Sequence, residues 1–203
     1  CALPIYMEKV QGKRQLQKIA TREHIIETAM SVYIAQGFSV PTHTIAQKAG
    51  VAHGTIFVHF PTREALLFQA LARFADDIGN KLHGLSASNH DIETLLKAHL
   101  EIIGENEAFY KHLIHELPNL SLEARNLFVS LNSIASHHFF IALQSGIENG
   151  TLKQLSTHMT YNTWLGLIHY YLQNSEFFSP NGESVIARYK DDLLNSYIDL
   201  IKK

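Results

Sequence analysis

The sequence predicts an all-α protein, and three features of its 203 residues support that fold class. Apolar residues recur at spacings of three and four along most of the chain, which is the period of an amphipathic helix. No segment shows the strict apolar–polar alternation of a half-buried strand. The chain also contains only 11 glycines and 5 prolines, which argues against a protein built from many short strands and turns.

The first helix is predicted over residues 22–36, where the apolar side chains form one stripe. Thr21 stands at the N-cap position, and Gly37 stands where a helix C-terminus favours a residue with positive φ. Residues 1–14, which precede this helix, are expected to form a partly disordered N-terminal arm that contains basic residues.

Three further helices are predicted in the first third of the chain. Thr42 is placed to cap a short helix over residues 44–49, and Gly50 permits a sharp turn after it. A second short helix is expected over residues 53–59, followed by a longer one over about residues 63–80. Two short helices joined by a tight turn that contains glycine form the pattern of a helix-turn-helix.

The remainder of the chain predicts a larger helical domain. Its amphipathic segments cover about residues 91–104, 107–117, 121–147, 157–175 and 183–202. We therefore expect an N-terminal three-helix unit over residues 15–64 and a C-terminal helical domain over residues 65–203.

Charge is distributed unevenly along the chain. Residues 1–74 hold eight Lys and Arg against four Asp and Glu, whereas the remaining residues hold nine against 15. The first third is therefore basic although the whole chain carries a net charge of −2. Such an asymmetry suggests a polyanionic partner for one end of the chain, although short segments also differ by a few charges by chance.

The helix-turn-helix segment carries a dense motif. It reads Gly37-Phe38, then Thr44-Ile45-Ala46-Gln47-Lys48-Ala49-Gly50-Val51, then Gly54-Thr55-Ile56-Phe57-Val58-His59-Phe60, then Arg63-Glu64-Ala65-Leu66-Leu67. In spacing and residue type this motif closely resembles the tetracycline-repressor (TetR) family of transcriptional regulators. The likeness covers about residues 20–70, and the rest of the chain is similar to the family only in length and helical character.

The second short helix has the composition that DNA reading requires. A helix that enters the major groove must be slim and polar near its N-terminus. His53 and Thr55 can hydrogen-bond base edges, and Gly54 has no side chain to block a close approach. The resemblance implies phosphate contacts for Thr42 and Arg63, among others. The candidate DNA-binding residues are Thr42, His43, His53, Gly54, Thr55, Phe57, His59 and Arg63.

Three positions depart from the family pattern. Phe57 stands where tyrosine is common, so it lacks a hydroxyl for phosphate and either packs on the preceding helix or lies at the DNA surface. Ala52 replaces a frequent serine cap, and Arg63 replaces the commoner lysine. His43 and His53 are either base contacts or plain solvent-facing residues.

The C-terminal domain is expected to bind a small, largely apolar molecule that modulates operator affinity. An apolar cavity with a few polar anchors is what such a ligand requires. The candidate pocket residues are Phe109, Phe128, Asn132, Phe139, Trp164 and His169, with His99 and His138 as further polar neighbours. Most of these side chains could equally be plain core residues.

The last two long helices are expected to form a homodimer. Residues 157–175 and 183–202 carry more apolar surface than one core face requires, with Ile168 and Ile198 expected at the interface. The resemblance implies that these helices pair with the same helices of a second copy. A two-fold dimer would read a palindromic operator in double-stranded DNA. The alternative is that one subunit covers both faces by itself.

No enzyme is expected. A di-iron helical bundle needs Glu-x-x-His, and none of the 13 histidines has a glutamate three residues before it. The phosphate-binding Gly-x-x-x-x-Gly-Lys-Ser/Thr loop and the Gly-x-Ser-x-Gly nucleophile elbow are both absent from the sequence. The chain is therefore expected to be a transcriptional regulator, most commonly a repressor in the family it resembles.

Metals and membranes are also not expected. His112, His115 and Glu116 share one helix face, which leaves a metal-binding or interaction module without DNA binding as the alternative, but such a cluster is more often merely solvated. No cofactor is expected. Cys1 is the only cysteine and no apolar run approaches the roughly 20 residues of a membrane span, so a cytoplasmic location is expected.

Overall fold

The computed structural model of the chain describes residues 3–86 and 91–203, with side chains for residues 12–84 and 91–203. Within these ranges the regular structure is helical and no strand is present, which confirms the predicted all-α class. In addition to the helices, Leu152 and Lys202 form an isolated antiparallel β-bridge.

Ten α-helices span most of the described residues. They are α1 (Leu3–Gln36), α2 (Thr42–Ala49), α3 (His53–His59), α4 (Arg63–Ser86), α5 (Ile92–Glu105), α6 (Glu107–Glu116), α7 (Leu122–Glu148), α8 (Thr157–Gln173), α9 (Ser175–Phe178) and α10 (Val185–Ile201). A short 3-10 turn over Leu117–Asn119 follows α6. None of the described helices is both long enough and apolar enough to cross a membrane.

The chain divides into two compact units, residues 1–71 and 72–203. The first unit extends beyond residue 64 because the start of α4 is tied to it. The Arg22 guanidinium donates a hydrogen bond to Gln69 Oε1 at 2.6 Å, and Arg63 donates to the carbonyl of Phe38.

The first helix is longer than the apolar stripe indicates. Helix α1 begins at Leu3, so the prediction that it starts at residue 22 is wrong. Thr21 is not an N-cap but lies inside the helix, where its hydroxyl donates to the carbonyl of Gln17. Of the predicted N-terminal arm, residues 3–14 belong to α1, and residues 1 and 2 lie outside the described part of the chain.

The helix-turn-helix forms as the glycine pattern predicts. Gly50 ends α2 with φ +66°, a left-handed conformation that glycine adopts without steric cost. The Val51 N–H then donates to the carbonyl of Ala46 at 3.1 Å, which closes the turn before α3. Thr42, however, is not the cap of α2: it is the first residue of the helix, and Pro41 occupies the N-cap position.

The core of the first unit is assembled from all four helices. Its fully buried side chains include Ile25, Ala29, Tyr33, Phe38, Ile45, Ile56, Phe60 and Leu66. The motif positions that resemble the TetR family are thus largely packing positions. Thr62 caps α4 by accepting a hydrogen bond from the Ala65 N–H at 3.0 Å.

The second unit is a bundle of α5 to α10 together with the latter part of α4. Side-chain caps begin its principal helices: Asp91 accepts from Thr94 N–H on α5, and Ser121 accepts from Ala124 N–H on α7. The buried carboxylate of Glu107 accepts from the backbone N–H groups of Val185 and Ile186 at 2.9 and 3.1 Å. An anionic group at this position complements the partial positive charge of the α10 N-terminus.

The apolar residues of α8 and α10 are mostly used inside the subunit. Trp164 and Ile168 are fully buried, and Leu172 and Ile198 are at most 3% exposed. The expectation that Ile168 and Ile198 lie at a dimer interface is therefore wrong, because both belong to the core of the chain's own bundle. The sequence showed two broad apolar stripes but not which edge of each stripe faces inward.

Candidate functional site

Helix α3 exposes most of its side chains. Only Ile56 is buried, and it anchors the helix to the core. Gly54 is open to solvent, with nothing within 4 Å of the position that a Cβ would take. Phe57 and Val58 are 44% and 70% exposed. Because only one side chain of this short helix is buried in the core, the rest of its surface is available for a partner.

Thr42 and His53 are joined across the turn. The hydroxyl of Thr42 and Nε2 of His53 lie 2.9 Å apart. Thr42 itself is buried, so its side chain positions His53 rather than presenting a hydroxyl to solvent. The bond fixes the ring at the start of α3, and among the described residues no hydrogen bond to its other nitrogen, Nδ1, is found.

Three aromatic rings form a row on the same surface. The ring of His53 lies 6.4 Å from that of His43 and 5.2 Å from that of Phe57, both in edge-on geometry. His43, His53 and Phe57 are all exposed, and Thr55 is half-buried. Phe57 thus packs on a neighbour within α3 and remains accessible at the surface.

Arg63 has a structural contact as well as an exposed face. One of its N–H groups donates to the carbonyl of Phe38, and a second guanidinium nitrogen lies 3.8 Å from Glu64. The side chain is still 39% accessible. Arg63 can therefore bind a phosphate only through those guanidinium N–H groups that do not contact the Phe38 carbonyl or Glu64.

Positive charge also flanks the helix-turn-helix on α1. Lys13, Arg14 and Lys18 are exposed. Burial, together with the positive charges of Lys18 and Arg22, lowers the pKa of His59. His59 is therefore neutral at pH 7 and offers one N–H donor. The basic residues before the apolar stripe of α1 are evident in the sequence. The sequence does not show that Lys18 lies close enough to His59 to lower its pKa.

The second unit contains a small cavity of about 30 Å³. Its walls are mostly apolar side chains from α4, α5 and α7, with polar contributions from His99, Asn106, Tyr110 and Asn132. Phe128 and Asn132, two of the predicted pocket residues, lie in this wall. A volume of this size holds roughly two water molecules, so a larger ligand requires side chains to move.

The other predicted pocket residues lie around the cavity. Phe139 and Trp164 border a second small space next to it, which His99 also lines. The Trp164 indole N–H donates to Nδ1 of His99 at 3.0 Å. Phe109 is buried, with its ring 4.4 Å from that of Phe74.

His169 is held by two of the cavity's wall residues. Its Nε2 lies 2.9 Å from the Tyr110 hydroxyl, and its ring stacks 6.4 Å from that of Phe128. Burial lowers the pKa of His169 to about 4 and raises that of Tyr110. Both groups are therefore neutral at pH 7. Sequence reasoning missed Tyr110, although a hydroxyl within an apolar helical stripe is a recognisable polar anchor.

An open groove adjoins the small cavity. It has a volume of about 630 Å³ and runs between α7 and α8. Phe128 and Asn132 line both spaces, so these two half-buried side chains are the partition between them. The groove also carries hydroxyl and imidazole groups, among them Ser133 and His158.

No metal site is evident. Among the described residues, no three His, Cys, Asp or Glu side chains are grouped closely enough to hold a metal ion. His112 lies 3.9 Å from Glu116 as a pair on α6.

The exposed α3, fixed by a helix-turn-helix and flanked by cations, identifies the N-terminal unit as that of a DNA-binding transcriptional regulator. Residues 25–70 match the family described as bacterial regulatory proteins, tetR family. The match lies within the N-terminal unit and covers less than half of the chain.

Relatives and solved structures are similar over more of the chain. The repressor KstR2 of Rhodococcus jostii (strain RHA1) is 24% identical over 142 residues, which is 67% of this chain and 70% of the relative. The fold is similar to a putative transcriptional regulator from Saccharomonospora viridis in complex with choline, with a TM-score of 0.73 at 19% identity, covering 90% of this chain and 97% of the other. It is also similar to FadR from Bacillus subtilis in complex with stearoyl-CoA, with a TM-score of 0.67 at 17% identity. The match covers 87% of this chain and 97% of the other.

Proposed function

We propose that this regulator binds a palindromic operator as a homodimer, with α3 of each copy in the major groove, and that a small apolar ligand in the second unit modulates its affinity. The observation that carries the proposal is the exposure of α3, in which Ile56 alone is buried. A recognition helix must present most of its surface to base edges, whereas a purely structural helix of this length would bury more of it.

Base contacts are proposed for the residues at the start of α3 and beside it. His43 and His53 are exposed at the start of α2 and α3, and the half-buried Thr55 adds a hydroxyl. Gly54 supports a close approach because nothing lies within 4 Å of the place where a Cβ would stand. The exposed methyl groups of Val58 and the ring of Phe57 suit the methyl group of thymine.

Phosphate contacts are proposed for the flanking groups. Lys18 and the free donors of Arg63 supply positive charge, and His59 supplies a neutral N–H. Such contacts fix the register of the protein on the duplex without reading its sequence. Thr42 is proposed to act through His53, since its hydroxyl is already paired.

Pairing of two copies is proposed through the outward face of α8. Met159, Thr163, Gly166 and Tyr170 lie on one side of this helix, opposite Trp164 and its buried neighbours. Met159 and Tyr170 are 66% and 59% exposed, and Gly166 has open space above it. A small residue between two larger apolar ones allows a second helix to approach closely. The outward side of α10 is more polar than that of α8, and we assign it to the rim of the dimer interface.

Modulation by ligand is proposed to act through α4. Phe74 and Ile78 on this helix line the cavity, and residues before Leu71 on the same helix belong to the DNA-binding unit. A ligand that widens the cavity must displace its wall. A coupling free energy of about 1–3 kcal/mol would change operator affinity by about 5–150-fold. Two of the structurally similar regulators were solved with small-molecule ligands, which supports this part of the proposal.

The test is a selection of duplexes from a random-sequence pool by the purified chain, followed by sequencing. We expect enrichment of a two-fold symmetric sequence with half-sites about one helical turn apart. A Thr55→Ala variant should lose enrichment relative to wild type while keeping its weak affinity for random DNA. Enrichment of no sequence, or an unaltered enrichment by Thr55→Ala, would contradict the placement of α3.

A further inference from the structure

The cavity of the second unit selects against charged ligands. Its described wall contains no Lys, Arg, Asp or Glu side chain. Its histidine, His99, is neutral at pH 7 because burial, with a smaller effect from His169, lowers its pKa to about 4. A buried ion without an opposite charge is strongly disfavoured, so a ligand that fills this space is uncharged in the part that it buries.

The proton of His99 is located by its partner. The Trp164 indole N–H is only a donor, and it donates to Nδ1 of His99 at 3.0 Å. Nδ1 is therefore the unprotonated nitrogen, and the neutral ring carries its proton on Nε2. Among the described residues no hydrogen bond from that Nε2–H is found, and the nitrogen is not among the fully buried unpaired atoms, since His99 is half-buried. The ring thus has a fixed N–H donor without a protein acceptor, beside a cavity that it lines.

We propose that the ligand is a neutral molecule with an apolar body and a carbonyl-type oxygen, and that this oxygen accepts a hydrogen bond from Nε2–H of His99. This inference rests on the proposed ligand-responsive function and specifies the chemistry of its site. The apolar body packs against Phe74, Ile78 and Leu131. An apolar ligand without an acceptor would cover this donor and leave it unpaired, which costs affinity.

The ligand enters by moving Phe128. The cavity of about 30 Å³ cannot hold a ligand of this kind as it stands, whereas the adjoining groove of about 630 Å³ can. Phe128 and Asn132 separate the two spaces and are only half-buried. A rotation of the Phe128 side chain joins the spaces, with the apolar end of the ligand in the cavity and its solvent-facing end among the hydroxyl groups of the groove.

Four compounds of similar shape test the inference. They are acetophenone, isopropylbenzene, benzoate and phenyltrimethylammonium, which present a carbonyl, no acceptor, an anion and a cation on the same phenyl body. Binding to the full chain is measured by isothermal titration calorimetry at pH 7.5. We expect acetophenone to bind about tenfold more tightly than isopropylbenzene, the effect of one hydrogen bond to a buried donor. Benzoate and phenyltrimethylammonium should bind more weakly than either.

Variants assign the preference to His99. The double variant His99→Phe/Trp164→Phe removes donor and acceptor together, so that neither partner is left unpaired, and Trp164→Phe alone is its matched control. We expect the preference for acetophenone over isopropylbenzene to fall to about one in the double variant. It should be reduced but still present in Trp164→Phe, where the His99 ring keeps an N–H but its tautomer is no longer fixed. The single variant His99→Gln, which keeps a donor and an acceptor beside Trp164, should retain more of the preference than the double variant.

Equal affinity for acetophenone and isopropylbenzene, tighter binding of either ion, or no binding of any of the four compounds would overturn the inference. The same protein is assayed for selection of duplexes as above. Selection without a ketone preference would reject the ligand chemistry alone. A ketone preference in a chain that selects no duplex would retain the ligand site and reject the regulatory function.

Discussion

At the scale of single residues, His99 and His169 affect how the second unit responds to pH. Burial lowers the pKa of His99 and of His169 to about 4, compared with about 6.5 for an exposed histidine. Below pH 6.5 the unfolded chain binds protons at these positions that the folded chain does not. Their neutral, folded forms therefore stabilise the protein fully above pH 6.5, and this stability is lost as the pH falls towards 4.

We accordingly expect the free energy of unfolding to fall between pH 6.5 and 5. Each histidine contributes a slope of up to about 1.4 kcal/mol per pH unit. Urea unfolding at pH 7.5, 6.5, 5.8 and 5.0 measures the slope. His99→Gln should reduce it, whereas His158→Gln, at an exposed histidine on the same bundle, should leave it unchanged. An equal slope in wild type and His99→Gln would contradict the assignment.

Residue identities were predictable where a backbone conformation or a periodic core demanded them, and less so where a partner is distant in sequence. Gly50 was predicted as a turn residue from its position alone, and its φ of +66° agrees. Thr42 was assigned to capping and to phosphate, yet its hydroxyl pairs with His53 eleven residues away. The bond between Trp164 and His99 spans 65 residues, and no local pattern in the sequence marks it.

At the scale of elements, two glycines of the helix-turn-helix have opposite requirements. Gly50 sits in the left-handed region, where an added Cβ is strained, although no atom lies within 4 Å of it. Gly54 is helical and equally uncrowded, so alanine there is sterically acceptable. One glycine is required by the backbone, and we assign the other to the approach of DNA.

Alanine substitutions should therefore separate folding from binding. Gly50→Ala should lower the free energy of unfolding by about 1–2 kcal/mol, the cost of a left-handed non-glycine residue. Gly54→Ala should leave it unchanged or raise it by up to about 1 kcal/mol, because alanine is the better helix former, yet weaken binding to the selected duplex. Thermal unfolding and fluorescence anisotropy measure the two effects. Full affinity in Gly54→Ala would contradict the close approach.

The outward face of α8 gives a direct test of pairing. Gly166→Arg places a long cation on that face, where nothing within 4 Å opposes its Cβ, so the subunit should still fold. We expect the dimer to dissociate, with at least a tenfold rise in its dissociation constant by analytical ultracentrifugation. Gly84→Arg, at an exposed glycine of α4 with similar free space, is the control. A dimer that withstands Gly166→Arg would move the interface to another face.

The positions of helices could be predicted from the sequence where an apolar stripe begins directly after a capping or turn residue. Helix α3 occupies residues 53–59 as predicted, and α5 begins at Ile92 after its Asp91 cap. The part of α1 before residue 22 was missed because its described side chains are mostly polar and its few apolar ones, Leu16 and Ile19, are exposed and form no core face. The four-residue helix α9 was also missed, since one turn contains too few residues to show a period.

At the scale of the whole molecule, charge and function divide along the chain in the same way. The first third is basic and carries the exposed α3, whereas the remainder is acidic and carries the cavity that we propose for a ligand. The acidic part disfavours non-specific attachment of the whole surface to DNA. Binding should therefore be confined to the N-terminal unit, and its strength should depend on a limited number of phosphate contacts.

The measurement that tests the account most directly is the affinity of the wild-type chain for the selected duplex and for a scrambled duplex of equal composition, between 50 and 200 mM salt. We predict at least about a 10³-fold preference for the selected duplex. The logarithm of the association constant should fall with the logarithm of salt concentration at a slope of about −0.9 for each phosphate contact, and Lys18→Ala should make that slope shallower. Equal affinity for the two duplexes with no dependence on salt would contradict DNA recognition through α3.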